Sequence, residues 1–182
     1  DGEKSVTIKD LAMKSVSFDL RNQLTTSATF GSETSPPPFI AGFAEVEIDP
    51  STGECSVTDI LSVVDCGTPV NPSAARVQVE GGMAQGIGLA LYEDIIFDEK
   101  GRVITDSFMQ YKIPCRKDIG RMDVEFSKSW EETGPFGAKS IGEVVINTPS
   151  PAIAAAVKNA TGINFRTLPI TSEDILMGMQ KK

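Results

Sequence analysis

Gly134-Pro135-Phe136-Gly137-Ala138-Lys139-Ser140-Ile141-Gly142-Glu143 is a glycine-punctuated loop that carries one carboxylate up to the start of a helix. Its glycines permit backbone angles and close approaches that a Cβ would forbid. Val144-Val145-Ile146 and then Asn147-Thr148-Pro149-Ser150-Pro151 follow. Ser150 suits an N-cap and Pro151 the first helical position, so a helix is expected over 152–160, stopped by Gly162. A glutamate at such a junction is either a general base or a loop carboxylate satisfied by nearby backbone amides. The local pattern leaves both readings open.

The 182 residues around this loop are 40% hydrophobic and 23% charged, a balance that suits one globular domain with a sizeable core. A net charge of -8 argues against a nucleic-acid binder, which needs a clustered basic surface. Lys112 with Arg116-Lys117, and Lys181-Lys182, read as solvated faces. No apolar run approaches the roughly 20 residues of a membrane helix. Asp1-Gly2-Glu3-Lys4 lacks signal-peptide character, so a cytoplasmic setting is expected. The absence of a starting methionine hints at a fragment.

Cys55, Cys66 and Cys115 show no CxxC spacing, so neither an iron–sulfur nor a zinc framework is expected. They read as free thiols in or near the core. The chain has no histidine, which removes Ser-His-Asp and Cys-His catalysis and most zinc chemistry. An enzyme built from it must use carboxylates, a lysine, or a cofactor not ligated through imidazole. No metal-ligand set of its own is expected.

Thr7-Ile8-Lys9-Asp10 resembles a capping box and predicts a short helix to about Met13 or Lys14. Val16, Phe18 and Leu20 alternate with polar residues and predict a strand, with Leu24–Phe30 as its partner. Pro36-Pro37-Pro38 mark an extended linker. Two segments are therefore expected: residues 1–38, a helix and strand ending in the linker, and residues 39–182, the main domain. Phe39–Ile48 and Val57–Val64 predict a hairpin, with Phe43, Val46 and Ile48 on one face. Glu93–Phe97 and Arg102–Thr105 predict another, and Met122–Phe126 a strand. Phe165 and Leu168–Ile170 suggest a short extended piece. Thr171–Leu176 starts a terminal helix with a second capping signature.

Asn71 and Pro72 signal the start of a helix through Tyr92. It contains Gly81, Gly82, Gly86 and Gly88, each costing about 0.8–1 kcal/mol against alanine. The whole helix thus carries about 3–4 kcal/mol of intrinsic penalty. Either close backbone packing or a ligand lying on the helix offsets it. Gln85, among these glycines, offers an amide that both donates and accepts. The segment is not a P-loop and fails the dinucleotide fingerprint.

From about Ile40 to Leu176 the chain resembles the C-terminal part of the molybdenum-binding subunit of the xanthine dehydrogenase/aldehyde oxidase family. The resemblance rests on Val64-Asp65-Cys66-Gly67 with Asn71-Pro72, on Gln78 to Gly88, on Tyr111-Lys112-Ile113-Pro114, and above all on Gly137 to Glu143. Their order and spacing together carry the signal.

This resemblance implies an α+β fold of mixed strands and hairpins with a glycine-rich helix and a C-terminal helix. It implies a molybdopterin cofactor, either plain or as the cytosine dinucleotide. The activity implied is hydroxylation of a purine or related N-heterocycle with oxygen from water, or of an aldehyde. Glu143 would be the general base on the molybdenum-bound hydroxyl, its basicity raised by burial beside Ile141 and Val144. Gln85, Gly86 and Gly142 would contact the cofactor, giving the glycine helix a reason for its cost. Lys139 either tunes Glu143 or supports the loop. Partners implied are the rest of the molybdenum subunit and domains or subunits carrying 2Fe-2S clusters and FAD, in an oligomer. The chain alone is expected to be inactive. The rival reading is a non-catalytic assembly module that keeps the fold.

Overall fold

The structure is a computed structural model, and it describes residues 5–17, 26–29, 31 and 33–181. Residues 1–33 and 34–182 form two compact units. In the first, helix α1 spans Ile8–Ser17. Thr7 Oγ1 accepts from the Asp10 amide at 3.1 Å and donates to Asp10 Oδ2 at 2.7 Å. The helix thus starts where its cap signature predicts but runs past Lys14, taking in Val16 and Ser17. Once nucleated, each added residue gains a hydrogen bond, and a three-residue alternation is too short to compete. The remainder of the expected strand, residues 18–20, lies outside the described residues. Residues 26–29 of its expected partner are neither helix nor strand.

In the second unit, β1 (Phe39–Ile48) pairs antiparallel with β2 (Cys55–Asp65), and β3 (Arg121–Phe126) pairs parallel with β2. The order β1-β2-β3 places β2 at the centre. A bulge follows Glu45↔Asp59, after which Val46 pairs with Val57 and Thr58 is skipped. The bulge changes the parity of β2, so Cys55 and Val57 face inward before it and Ile60, Ser62 and Val64 after it. Strand β1 alternates without interruption, and Ile40, Ala44, Val46 and Ile48 pack on the core. Phe43 therefore does not join Val46 and Ile48 as expected. Strand period places it on the opposite face, where it is 59% exposed.

One face of the sheet is covered by α2 (Pro72–Leu91) and α3 (Pro149–Thr161). Val79, Met83 and Ile87 of α2 and Ile153 and Val157 of α3 are fully buried there. Asn71 caps α2 through its Oδ1, which accepts from the Ala74 amide at 3.0 Å. Helix α3 begins two residues before the expected start. Thr148 is its N-cap, without a side-chain cap bond, and Pro149 is the first helical residue. Either proline suits that position locally, and burial of Pro149 against Gly86 selects the earlier one. Ser150 instead donates to the Gly86 carbonyl at 3.0 Å. Gly162 ends α3 at φ 71°. The last helix, α4 (Ser172–Gln180), carries the capping box expected at Thr171 and Asp174.

Residues 93–105 fold back through a single bridge, Phe97↔Val103, rather than a strand pair. No strand forms at Phe165 or Leu168–Ile170, but the Ile170 amide donates to Ala90 at 2.7 Å. All three cysteines are free; Cys55 and Cys66 are buried, whereas Cys115 is exposed, contrary to expectation. Among the described residues no helix is long and apolar enough to cross a membrane.

Candidate functional site

Gln78, Gly81, Gly82 and Gln85 recur at helical spacing and form one stripe of α2. Gly142, Glu143, Val145 and Ile146 face this stripe across a cleft of about 510 Å³. The last two belong to a 3₁₀ turn over Val144–Ile146. Of the four expected site residues, the fold brings Gln85, Gly142 and Glu143 to this one cleft. Gly86 is not among its lining residues. A Cβ there would lie 2.5 Å from Pro149 Cβ, so this glycine serves the crossing of α2 and α3.

The cost of the glycine helix therefore has mainly a packing origin. A Cβ at Gly82 would collide with Val145, and one at Gly88 with Glu93. Gly81 differs: a Cβ there would meet nothing within 4 Å, as at Gly142. These two positions bring bare backbone to the cleft. Close packing explains Gly82 and Gly86, Gly88 meets the movable end of the Glu93 side chain, and Gly81 faces open space where a ligand could lie.

The loop before Glu143 is fastened to the end of β2. Ala138 bridges to Gly67, the Thr68 amide donates to the Gly137 carbonyl at 2.7 Å, and the Lys139 amide donates to the Cys66 carbonyl at 2.7 Å. Lys139 Nζ donates to Asp65 Oδ2 at 2.6 Å. The Lys139 side chain is only 9% exposed. Asp65 also accepts from Ser129 Oγ and from the Gly67 amide. The Lys139 hydrogen bond, followed by that of Ser129, holds the Asp65 carboxyl down at about 2. Of the two roles open to Lys139, the structure thus shows loop support. Gly137 adopts φ 79°, and a Cβ on it would collide with the Trp130 ring, so this glycine is required twice over.

At the other end of the loop, Gln78 Nε2 donates to the Gly142 carbonyl at 2.7 Å. Glu143 is exposed rather than buried beside Ile141 and Val144, because the loop turns its carboxylate outward into an open cleft. Among the described residues no hydrogen bond or ion pair reaches that carboxylate. The reading of Glu143 as a loop carboxylate satisfied by backbone amides therefore fails.

The sequence pattern assigns Gln78 no role, although it stands two helical turns before Gln85 and so on the same face. A second, more apolar cleft of about 450 Å³, with Pro69, Val70, Ala74 and Ile141 in its wall, meets the first at Gln78 and Gly142. Among the described residues no three His, Cys, Asp or Glu side chains gather to hold a metal ion. The cleft suits a flat heterocycle rich in donors and acceptors: the exposed Gln85 amide and two uncovered stretches of backbone line it, whereas the Gln78 amide is engaged with the Gly142 carbonyl. A pterin answers that description.

The molybdopterin cofactor-binding domain family matches residues 1–120. A probable hypoxanthine oxidase of Escherichia coli K12 is 40% identical over 145 residues, 79% of this chain and 15% of that protein. A putative xanthine dehydrogenase molybdenum-binding subunit of the same organism is 36% identical over 171 residues, 93% of this chain and 23% of that protein. The aldehyde oxidoreductase structure from Desulfovibrio gigas has a TM-score of 0.73 at 33% identity, over 79% of this chain and 15% of that one. The quinoline 2-oxidoreductase structure from Pseudomonas putida 86 has a TM-score of 0.71 at 36% identity, over 75% and 18%. The chain spans less than a quarter of the length of each of these relatives. With residues 1–120 matched and this sequence similarity beyond them, the chain belongs to the molybdopterin cofactor-binding domain family, that of xanthine dehydrogenase and aldehyde oxidoreductase molybdenum-binding subunits.

Proposed function

We propose that this chain forms the C-terminal part of the cofactor cleft of a molybdenum hydroxylase and supplies its general base, Glu143. The observation that carries the reading is a carboxylate without a partner among the described residues, on the same cleft as Gln85, Gly81 and Gly142. Molybdopterin, when bound, supplies the two-electron redox chemistry of hydroxylation with oxygen from water. Gln85 holds its heterocycle through a side-chain amide that donates and accepts at once. Gly81 and Gly142 admit it close to backbone. Glu143 accepts a proton on a carboxylate oxygen as the new carbon–oxygen bond forms, which requires that oxygen within about 2.6–3.2 Å of the donor. The Lys139–Asp65 pair anchors the loop that leads to Glu143.

A purine or related N-heterocycle is the substrate class proposed, in line with 40% identity to a probable hypoxanthine oxidase. An aldehyde is the second reading, favoured by 37% identity over 150 residues to an aldehyde oxidoreductase molybdenum-binding subunit of Escherichia coli K12. Electrons would leave through partner domains or subunits bearing 2Fe-2S clusters and FAD. The test uses the complete, metal-loaded subunit. Glu143→Gln should retain molybdenum and lose hydroxylation of hypoxanthine by at least about a hundredfold, as expected for removal of a general base. A variant that keeps both its metal and its full rate sinks the assignment. Rates with hypoxanthine against those with benzaldehyde decide between the two substrate classes.

A further inference from the structure

Glu143 follows directly on the softest point of its loop. Gly142 has no side chain, and a Cβ there would meet nothing within 4 Å, so packing does not restrain it. Lys139 and Asp65 fasten the loop three residues earlier, and the 3₁₀ turn begins only at Val144. Between those two holds, among the described residues, one hydrogen bond reaches the loop from elsewhere in the fold. It runs from Gln78 Nε2 to the Gly142 carbonyl oxygen, at 2.7 Å. Its donor stands on α2, a helix of 20 residues whose opposite face is fully buried, so the amide is presented from rigid ground. The acceptor belongs to the peptide group that joins Gly142 to Glu143. Rotation about the backbone bonds of Gly142 would displace that carbonyl and carry Glu143 relative to the cleft, and the bond from Gln78 opposes it.

We propose that Gln78 is a positioning residue: by holding the Gly142–Glu143 peptide, it aims the Glu143 carboxylate into the cleft. This inference rests on Glu143 being the general base. The role needs a donor, which the amide supplies whatever the pH. It contributes little to stability, because the Gly142 carbonyl is exposed and water replaces the lost partner. Geometry at a proton-accepting group, by contrast, weighs heavily on rate.

The test uses the complete, metal-loaded subunit. Gln78→Met keeps side-chain length and removes the donor. It should lower kcat by roughly ten- to a hundredfold while KM, molybdenum content and the thermal midpoint stay near wild type. Hydrogen exchange in the peptide spanning residues 139–146 should quicken. In a Glu143→Gln background, Gln78→Met should change the residual rate by less than about twofold, since coupled residues are non-additive. Gln78→Glu should show a kcat that rises relative to wild type as pH falls, because only the protonated carboxyl can donate. Unchanged kcat in Gln78→Met overturns the proposal, and so does loss of molybdenum, which would make Gln78 a cofactor ligand. An equal loss in both backgrounds, or a flat Gln78→Glu ratio, does the same. A Glu143→Gln enzyme with full activity overturns the base assignment instead, so the two failures are distinguishable.

Discussion

Lys139 Nζ lies 2.6 Å from Asp65 Oδ2, so a nearly buried ammonium clamps the loop that leads to Glu143 to the last residue of the central strand. Asp65 titrates at about 2 in place of its usual 3.8. A carboxyl depressed in the folded state stabilises it fully above pH 3.8, and that contribution is lost as pH falls toward 2. Asp65→Asn should therefore cost about 1.5–3 kcal/mol at neutral pH, the range for hydrogen bonds to charged groups. It should also flatten the acid limb of stability against pH. Urea melts at a series of pH values check both, and an unchanged slope between pH 4 and pH 2 would refute the clamp.

The glycines of α2 should part company on substitution. Gly81→Ala meets open space and should stabilise the helix by up to about 1 kcal/mol. Gly82→Ala must displace Val145 and should destabilise by about 1–3 kcal/mol, the usual cost of overpacking. If cofactor lies against the Gly81 backbone, Gly81→Ala in the complete subunit should hold less molybdenum despite its greater stability. Thermal melts and metal analysis of the two variants read this out.

Thiol chemistry should separate the cysteines. Cys115 is exposed, whereas burial pushes the Cys55 thiol up to about 11 and raises that of Cys66. Reactivity follows the thiolate. A native chain should therefore react promptly at Cys115 with an aromatic disulfide reagent, and at Cys55 and Cys66 only after denaturation. Fast labelling of Cys66 would show that the junction of β2 and the loop opens in solution.

The outer face of the sheet should be adhesive. Phe39 and Phe43 are more than half exposed on β1, opposite Asp65 and Leu61 of β2. Apolar patches of this kind mark association surfaces. The chain by itself should self-associate and bind a hydrophobic dye. Phe43→Lys should weaken both with little change in stability, as measured by sedimentation and dye fluorescence.

Much of the fold was legible because its signals are local. Asn71-Pro72 and Thr171 with Asp174 mark helix starts through bonds made within four residues, and both act as expected. Gly162 likewise ends α3 by its own backbone freedom. Expectation and structure differ where a distant contact chooses between locally equal options. Pro149 and Pro151 both suit a first helical position, and burial against Gly86 decided for Pro149. The bulge at Thr58 and the outward turn of Phe43 depend on pairing between strands.

By itself, the sequence determined which residues carry polar chemistry and where α1, α2 and α4 begin. Those properties reside in single side chains and in backbone bonds spanning a turn. Only the tertiary structure decided which glycines pack and which are open. It also decided that Lys139 answers Asp65, 74 residues away, and that Gln78 meets Gly142 across 64. Such pairings are products of chain reversal, and the free energy that selects them comes from burying apolar surface over the whole unit. No short stretch contains that information.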